Sequence, residues 1–186
     1  MKLRTLCALT VTGAMLLACQ ALAGEEVTVD YQYKGDTGVS LASMFGGPIS
    51  VSEFTDARDI ADKQDIARPG QDNVTLSEQT PAALIQQTFN QALAASEANL
   101  TEDEGNLRLQ GELLEMQIEE TADGLQVLIR CQLSLNNQGR NAWQASVFSR
   151  VDSEGDDISA AIGKGLDRLV SELFMDDYFL MELGIF

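Results

Sequence analysis

The chain has 186 residues, with 29 acidic against 12 basic side chains, three cysteines and no histidine. Without histidine it lacks the usual general base, the usual transition-metal ligand and every Ser-His or Cys-His nucleophile pair. A net charge of −17 repels nucleic acid and anionic lipid headgroups.

Residues 1–23 read as an export signal: Lys2 and Arg4, an apolar run from Leu6 to Leu17, then small residues. Two cleavage patterns compete. Ala21-Leu22-Ala23 is an A-x-A site that would leave a chain starting at Gly24. Leu16-Leu17-Ala18-Cys19 resembles a lipobox, which would lipidate Cys19 and anchor the protein to the outer membrane, its one route to a membrane. The A-x-A cut is favoured, because Leu17 stands where a lipobox has a small residue. A run of about a dozen apolar residues is short of the roughly 20 that span a bilayer. Removing 23 of the 186 residues leaves 163, enough for one domain, with 10 Lys+Arg against 29 Asp+Glu and a net charge of −19. Such a charge keeps an exported protein soluble and leaves a basic protein patch as an admissible partner.

Residues 24–47 alternate at Val27, Val29, Tyr31 and Tyr33 before Gly35, Gly38, Gly46 and Gly47 break the pattern. They are expected as an extended arm or edge strand ahead of a single domain at 48–186. Ile49 to Phe54 is a short apolar alternation that enters the main sheet. Thr55 to Gln79 is polar, charged and broken by Pro69-Gly70, and is expected to be a long surface loop. Thr80-Pro81 starts a helix whose apolar face is Leu84, Ile85, Thr88, Phe89, Ala92 and Leu93.

Asn106 to Val151 carries the clearest periodicity. Leu125, Val127, Ile129, Cys131, Leu133 and Leu135 alternate with polar residues, flanked by similar rows at Leu107 to Ile118 and Trp143 to Val151. The Leu113-Leu114 doublet breaks the first row's phase and predicts a bulge. Thr121 to Gly124 and Asn136 to Gly139 predict two hairpin turns. Cys131, in the central apolar row, is a core hydrophobe with no cysteine partner in the domain, and Trp143 is a core anchor. Gly155-Asp156-Asp157 then caps a second helix with a stripe at Ile158, Ala161, Ile162, Leu166, Leu169, Val170 and Leu173. Gly163 and Gly165 weaken that helix but let it approach the sheet closely. The order predicts an α+β two-layer sandwich, a mostly antiparallel sheet of four to five strands with two helices on one face, and one parallel pairing admissible for the first strand.

The tail, Tyr178 to Phe186, is too apolar to hang free. It folds back through Phe179, Leu180, Leu183 and Phe186 to close the core, or presents Tyr178, Phe179, Leu183 and Phe186 to a partner; closure is favoured. Carboxylates are the abundant reactive groups. Asp56, Asp59, Asp62 and Asp65 recur every three residues but lack the order of a calcium loop, so neither a metal, a cofactor nor a catalytic residue is assigned.

Ile49 to Arg58, the helix from Pro81 to Leu93 and the meander ending in Trp143 to Arg150 together resemble the YajG-type lipoproteins of Gram-negative envelopes, and more distantly the LptE-like and transport-auxiliary lipoproteins. The resemblance covers about residues 48–175. It implies a small periplasmic or outer-membrane-anchored domain without catalytic residues, in which Asp56 and Arg58 form a structural turn. The expectation is a non-enzymatic protein that binds a periplasmic or outer-membrane partner. The alternatives are a carrier for a lipidic ligand held between helices and sheet, and an Asp-dependent hydrolase using Asp56 or Asp59.

Overall fold

The computed structural model describes residues 24–102 and 105–185; residues 1–23, where the export signal with Cys7 and Cys19 is expected, and Phe186 lie outside them. The elements are β1 (Glu25–Val27), β2 (Ile49–Val51), β3 (Thr55–Asp56), β4 (Asp65–Ile66), β5 (Val74–Leu76), α1 (Pro81–Ala95), β6 (Leu107–Glu120), β7 (Gly124–Asn137), β8 (Arg140–Glu154), α2 (Ile158–Phe174) and α3 (Asp177–Leu183). The fold is the expected α+β two-layer arrangement.

The β6-β7-β8 meander is its frame. β6 pairs with β7, and β7 with β8, in antiparallel ladders over nearly their whole lengths. The bulge falls between Leu113 and Glu115, so Leu114 is the inserted residue and the buried row passes from Leu113 to Met116 and Ile118. Gln138 and Gly139 both have positive φ and form the two-residue β7–β8 turn, the geometry that matches strand twist. β2 and β3 lie parallel to β6 along its other edge, and complete a five-stranded sheet.

One face of this sheet is covered by α1 and α2. Thr80 caps α1 by accepting from the Ala83 N–H at 3.3 Å, and Asp157 caps α2 by accepting from the Ala160 N–H at 2.9 Å. The α1 stripe is buried against β6, and the α2 stripe against the inward rows of β7 and β8. α2 sits close to the strands because Gly165 has no side chain: a Cβ there would lie 3.0 Å from Val127 Cγ1. The Ser149 hydroxyl on β8 then donates 2.8 Å to the Gly165 carbonyl, which satisfies a buried polar group at the helix–sheet contact.

The expectation of a long surface loop at 55–79 is corrected. The segment contributes β3 to the main sheet, and β4 and β5 to a second, three-stranded sheet in the order β1-β5-β4. Ile66, Val74 and Leu76 are buried in the core, and the Ile118 N–H donates to the Ala67 carbonyl at 2.9 Å, so the segment is fastened to β6. Within 24–47, β1 pairs parallel with β5, and Leu41 is fully buried, its N–H donating 2.6 Å to the Ser96 carbonyl at the end of α1.

Cys131 is fully buried on β7, and burial pushes its thiol up to about 12. A thiol reagent at pH 8 is therefore expected to leave the native protein unlabelled and to react with Cys131 only in denaturant. Labelling of native protein within minutes would mean that this register is wrong.

Candidate functional site

Two places carry the residues singled out by the sequence. The first is a polar knot around Arg58, just after β3. Its backbone N–H reaches Asp56 Oδ1 at 3.1 Å, its Nε reaches the same oxygen at 3.0 Å, and its Nη2 reaches Oδ2 at 2.6 Å. Nη1 also donates to the Asp65 carbonyl at 2.7 Å, and Nη2 to the Lys63 carbonyl at 3.0 Å. Lys63 Nζ in turn donates to the Arg58 carbonyl and lies 3.7 Å from Asp56. The Arg58 and Asp56 side chains are only 5% and 10% exposed.

Burial by itself would raise the Asp56 pKa. Hydrogen bonds from the Arg58 side chain and backbone, with the charges of Arg58 and Lys63, outweigh it and hold the carboxyl below its ordinary value. The chain from β3 to β4 is thus wrapped around one guanidinium, whose planar fork donates five contacts to Asp56, Lys63 and Asp65 that an ammonium could not match.

Beside the knot is an open cleft of about 340 Å³ lined by Arg58, Asp59, Ile60, Leu114, Met116 and others. Arg58 is spent on internal bonds, and three of the four aspartates have separate partners: Asp56 the guanidinium, Asp62 the Gln64 N–H at 2.9 Å, and Asp65 the Thr75 hydroxyl at 2.6 Å. Among the described residues no three acidic or cysteine side chains converge as metal ligands. A tyrosine is no better placed for proton transfer. Tyr31 donates 2.5 Å to Asp167 Oδ1, and burial first, then that bond, raises its pKa far above the ordinary 10.0.

The second place is the end of the molecule closed by α3. Asp176 caps α3 by accepting from the Phe179 N–H at 3.0 Å and also accepts from Trp143 Nε1 at 3.1 Å, so it fixes the tail to β8. Gly184, in the left-handed region, ends the helix. Phe179 and Leu183 are fully buried and Leu180 nearly so, with the Phe179 ring 5.1 Å from Trp143 and 6.3 Å from Phe174. The tail closes the core. Of the four residues considered for partner binding, Phe179 and Leu183 are inside, Phe186 lies outside the described residues, and Tyr178 alone faces solvent.

Tyr178 is not isolated. Met181 lies one turn further along α3 and is exposed, exposed Met175 caps the end of α2 just before it, and the Phe45 N–H donates 3.3 Å to the Gly184 carbonyl, which brings exposed Phe45 to the same end of the molecule. Sequence reasoning passed over Phe45, Met175 and Met181. The signal for Phe45 was there, an apolar pair Met44-Phe45 followed at once by Gly46-Gly47.

No family model matches the chain, and no curated protein matches it. A crystal structure of a DUF330 protein from Xanthomonas campestris is similar over 81% of this chain and 93% of its own, with 13% identity and a TM-score of 0.64. A hypothetical protein from Chlamydia trachomatis is similar over 74% of this chain and 96% of its own, with 9% identity and a TM-score of 0.49. A minor lipoprotein from Acinetobacter baumannii covers 73% and 91%, with 12% identity and a TM-score of 0.34. The first likeness shows that the α+β arrangement recurs in another bacterial protein; at 13% identity it transfers no residue roles.

Proposed function

We propose that this is a non-enzymatic, exported protein of the Gram-negative envelope, of the YajG-type lipoprotein kind, which works by holding a protein partner against its α3 end on the periplasmic side. The observation that carries this reading is the set of exposed apolar side chains at the α3 end, Phe45, Met175, Tyr178 and Met181, exposed at 90%, 69%, 74% and 56%. These are four of the five large apolar side chains that stand exposed among the described residues. On a chain with 29 acidic residues, a gathered apolar surface is a binding feature by the usual standard, since soluble proteins avoid such patches. Methionine and tyrosine suit it, one adaptable and the other amphipathic.

The export signal supports the compartment, and the absence of a catalytic arrangement among the described residues supports a binding role. The carrier alternative has less support. Phe89, Val127, Ile129, Leu166 and Leu169, all fully buried, fill the space between helices and sheet that a lipidic ligand would need.

A photocrosslinking residue at Tyr178 or Met181 is expected to give a protein-sized adduct in intact cells, whereas the same residue at Gln126, on the sheet's outer face, gives none. Absence of adducts at both α3 positions, together with a small apolar molecule retained in native mass spectrometry, would replace this reading with the carrier.

A further inference from the structure

The two long edges of the main sheet are treated differently. β6 is capped along its length by β2, by β3 and by the backbone at Ala67. β8 is the terminal strand, and among the described residues no backbone hydrogen bond reaches its outer edge. It is 15 residues long and contains neither proline nor lysine, the residues that usually block such an edge. Its one irregularity is the register shift at Ala142, which leaves Trp143 to Glu154 as a regular stretch.

A groove of about 410 Å³ runs between this edge and α2, lined by Ser146, Phe148 and Arg150 on the strand and by Arg168 and Glu172 on the helix. Phe148 is 43% exposed on the outer face, with the Arg150 guanidinium 5.8 Å from its ring centre. Ala145 and Val151, on the inner face, are only partly buried against the core.

We infer that β8 is an interface between two copies of this chain, which pair antiparallel about a twofold axis at Ser149 and make one continuous sheet. The stretch is self-complementary in that register. On the outer face Phe148 stands opposite the second copy's Arg150, Ser146 opposite Asp152, and Gln144 opposite Glu154; no two like charges meet. On the inner face Val147 stands opposite Val151, which covers the half-buried apolar row. The same axis runs the two α2 helices antiparallel, so the Arg168–Glu172 ion pair of one copy faces its reverse in the other.

Charge distribution allows the approach. β7, β8 and α2 carry Arg130, Arg140, Arg150, Lys164 and Arg168 against Asp152, Glu154, Asp167 and Glu172, so these elements are near neutral on a molecule of net −17. The exposed set at the α3 end is a separate surface.

Sedimentation of the purified protein is expected to show a reversible dimer that Ser146→Lys with Phe148→Lys weakens at least tenfold, while the melting temperature stays within a few degrees. A Ser146→Cys, Asp152→Cys double variant tests the register. Paired Cα atoms across antiparallel strands lie about 4.5–5.5 Å apart, within disulfide reach, whereas six residues along one strand separate the two sites by roughly 20 Å. Mild oxidation is therefore expected to give a covalent dimer. A protein that stays monomeric at all concentrations and gives no covalent dimer overturns the inference, as does a dimer indifferent to the lysine pair.

Discussion

Truncation after Asp177 is expected to lower the melting temperature by at least about 10 °C, or to leave the chain unable to fold. The cut removes Phe179, Leu180 and Leu183, each buried to within 4% of completeness. At roughly 1.5–3 kcal/mol per large apolar side chain, about 5–9 kcal/mol is lost, which is comparable with the whole stability of an ordinary domain. Each kcal/mol is worth roughly 2–4 °C in a chain of this size. Trp143 and Phe174 lose the ring packed against them, and the sheet opens at one end. Tyr178→Ser with Met181→Ser, by contrast, should leave the melt unchanged, since both side chains are already in solvent. Calorimetry of the two variants separates core closure from partner binding. An unchanged melt after truncation would mean that the tail is not part of the core.

The second large effect is at Arg58. Arg58→Met is expected to cost about 3–5 kcal/mol in urea unfolding at pH 7, because it strips the nearly buried Asp56 carboxylate and two carbonyls of their guanidinium donors. Adding Asp56→Leu to that variant should return part of the loss, because the penalty comes from the undercompensated charge rather than from the missing attraction.

The pH dependence follows from the lowered Asp56 pKa. A group whose folded value lies below its unfolded 3.8 stabilises the protein fully above about pH 4–5, and that contribution is lost as pH falls through the folded value. Acid unfolding of the native chain should therefore show this contribution, and the Arg58→Met variant, which keeps only the backbone N–H and Lys63 beside Asp56, should show less of it. A variant with native stability at pH 7 would show that the knot is ornamental.

Long, strongly periodic elements were legible in the sequence; short ones were not. The row from Leu125 to Leu135 has six inward residues, enough for a period of two to stand out, and its partners on β6 and β8 are nearly as long. The stripe of α2 and the Thr80-Pro81 start of α1 were equally plain. β3, β4 and β5 have two or three residues each, too few to show any period, and their buried residues are scattered among aspartates, which read as a solvated loop.

What holds that segment is a buried arginine, and no local pattern marks an Arg in an Asp-rich stretch as interior. Asp56 and Arg58 were visible as a turn, but their closure over Lys63 and Asp65 depends on backbone carbonyls that sequence does not display. At α3 the tail's fold-back was readable from its hydrophobicity. The exposed set was not, because Phe45 reaches it from a place about 140 residues away in the chain.

The ends of the meander also set a direction. Gly24 enters beside Asn73, and Arg68 joins Glu25 to Glu120, the last residue of β6. Leu107, the first residue of β6, lies against Gly46, which is hydrogen-bonded to Leu183 of α3. At about 3.4 Å per residue the strand between them is roughly 40 Å long. Were the chain anchored through a lipidated Cys19 instead of cut after Ala23, the attachment would enter at the Glu120 tip of β6, with the α3 end at the other. A tether at that tip would make the protein a spacer, reaching across a gap of fixed width rather than lying flat on the surface to which it is attached.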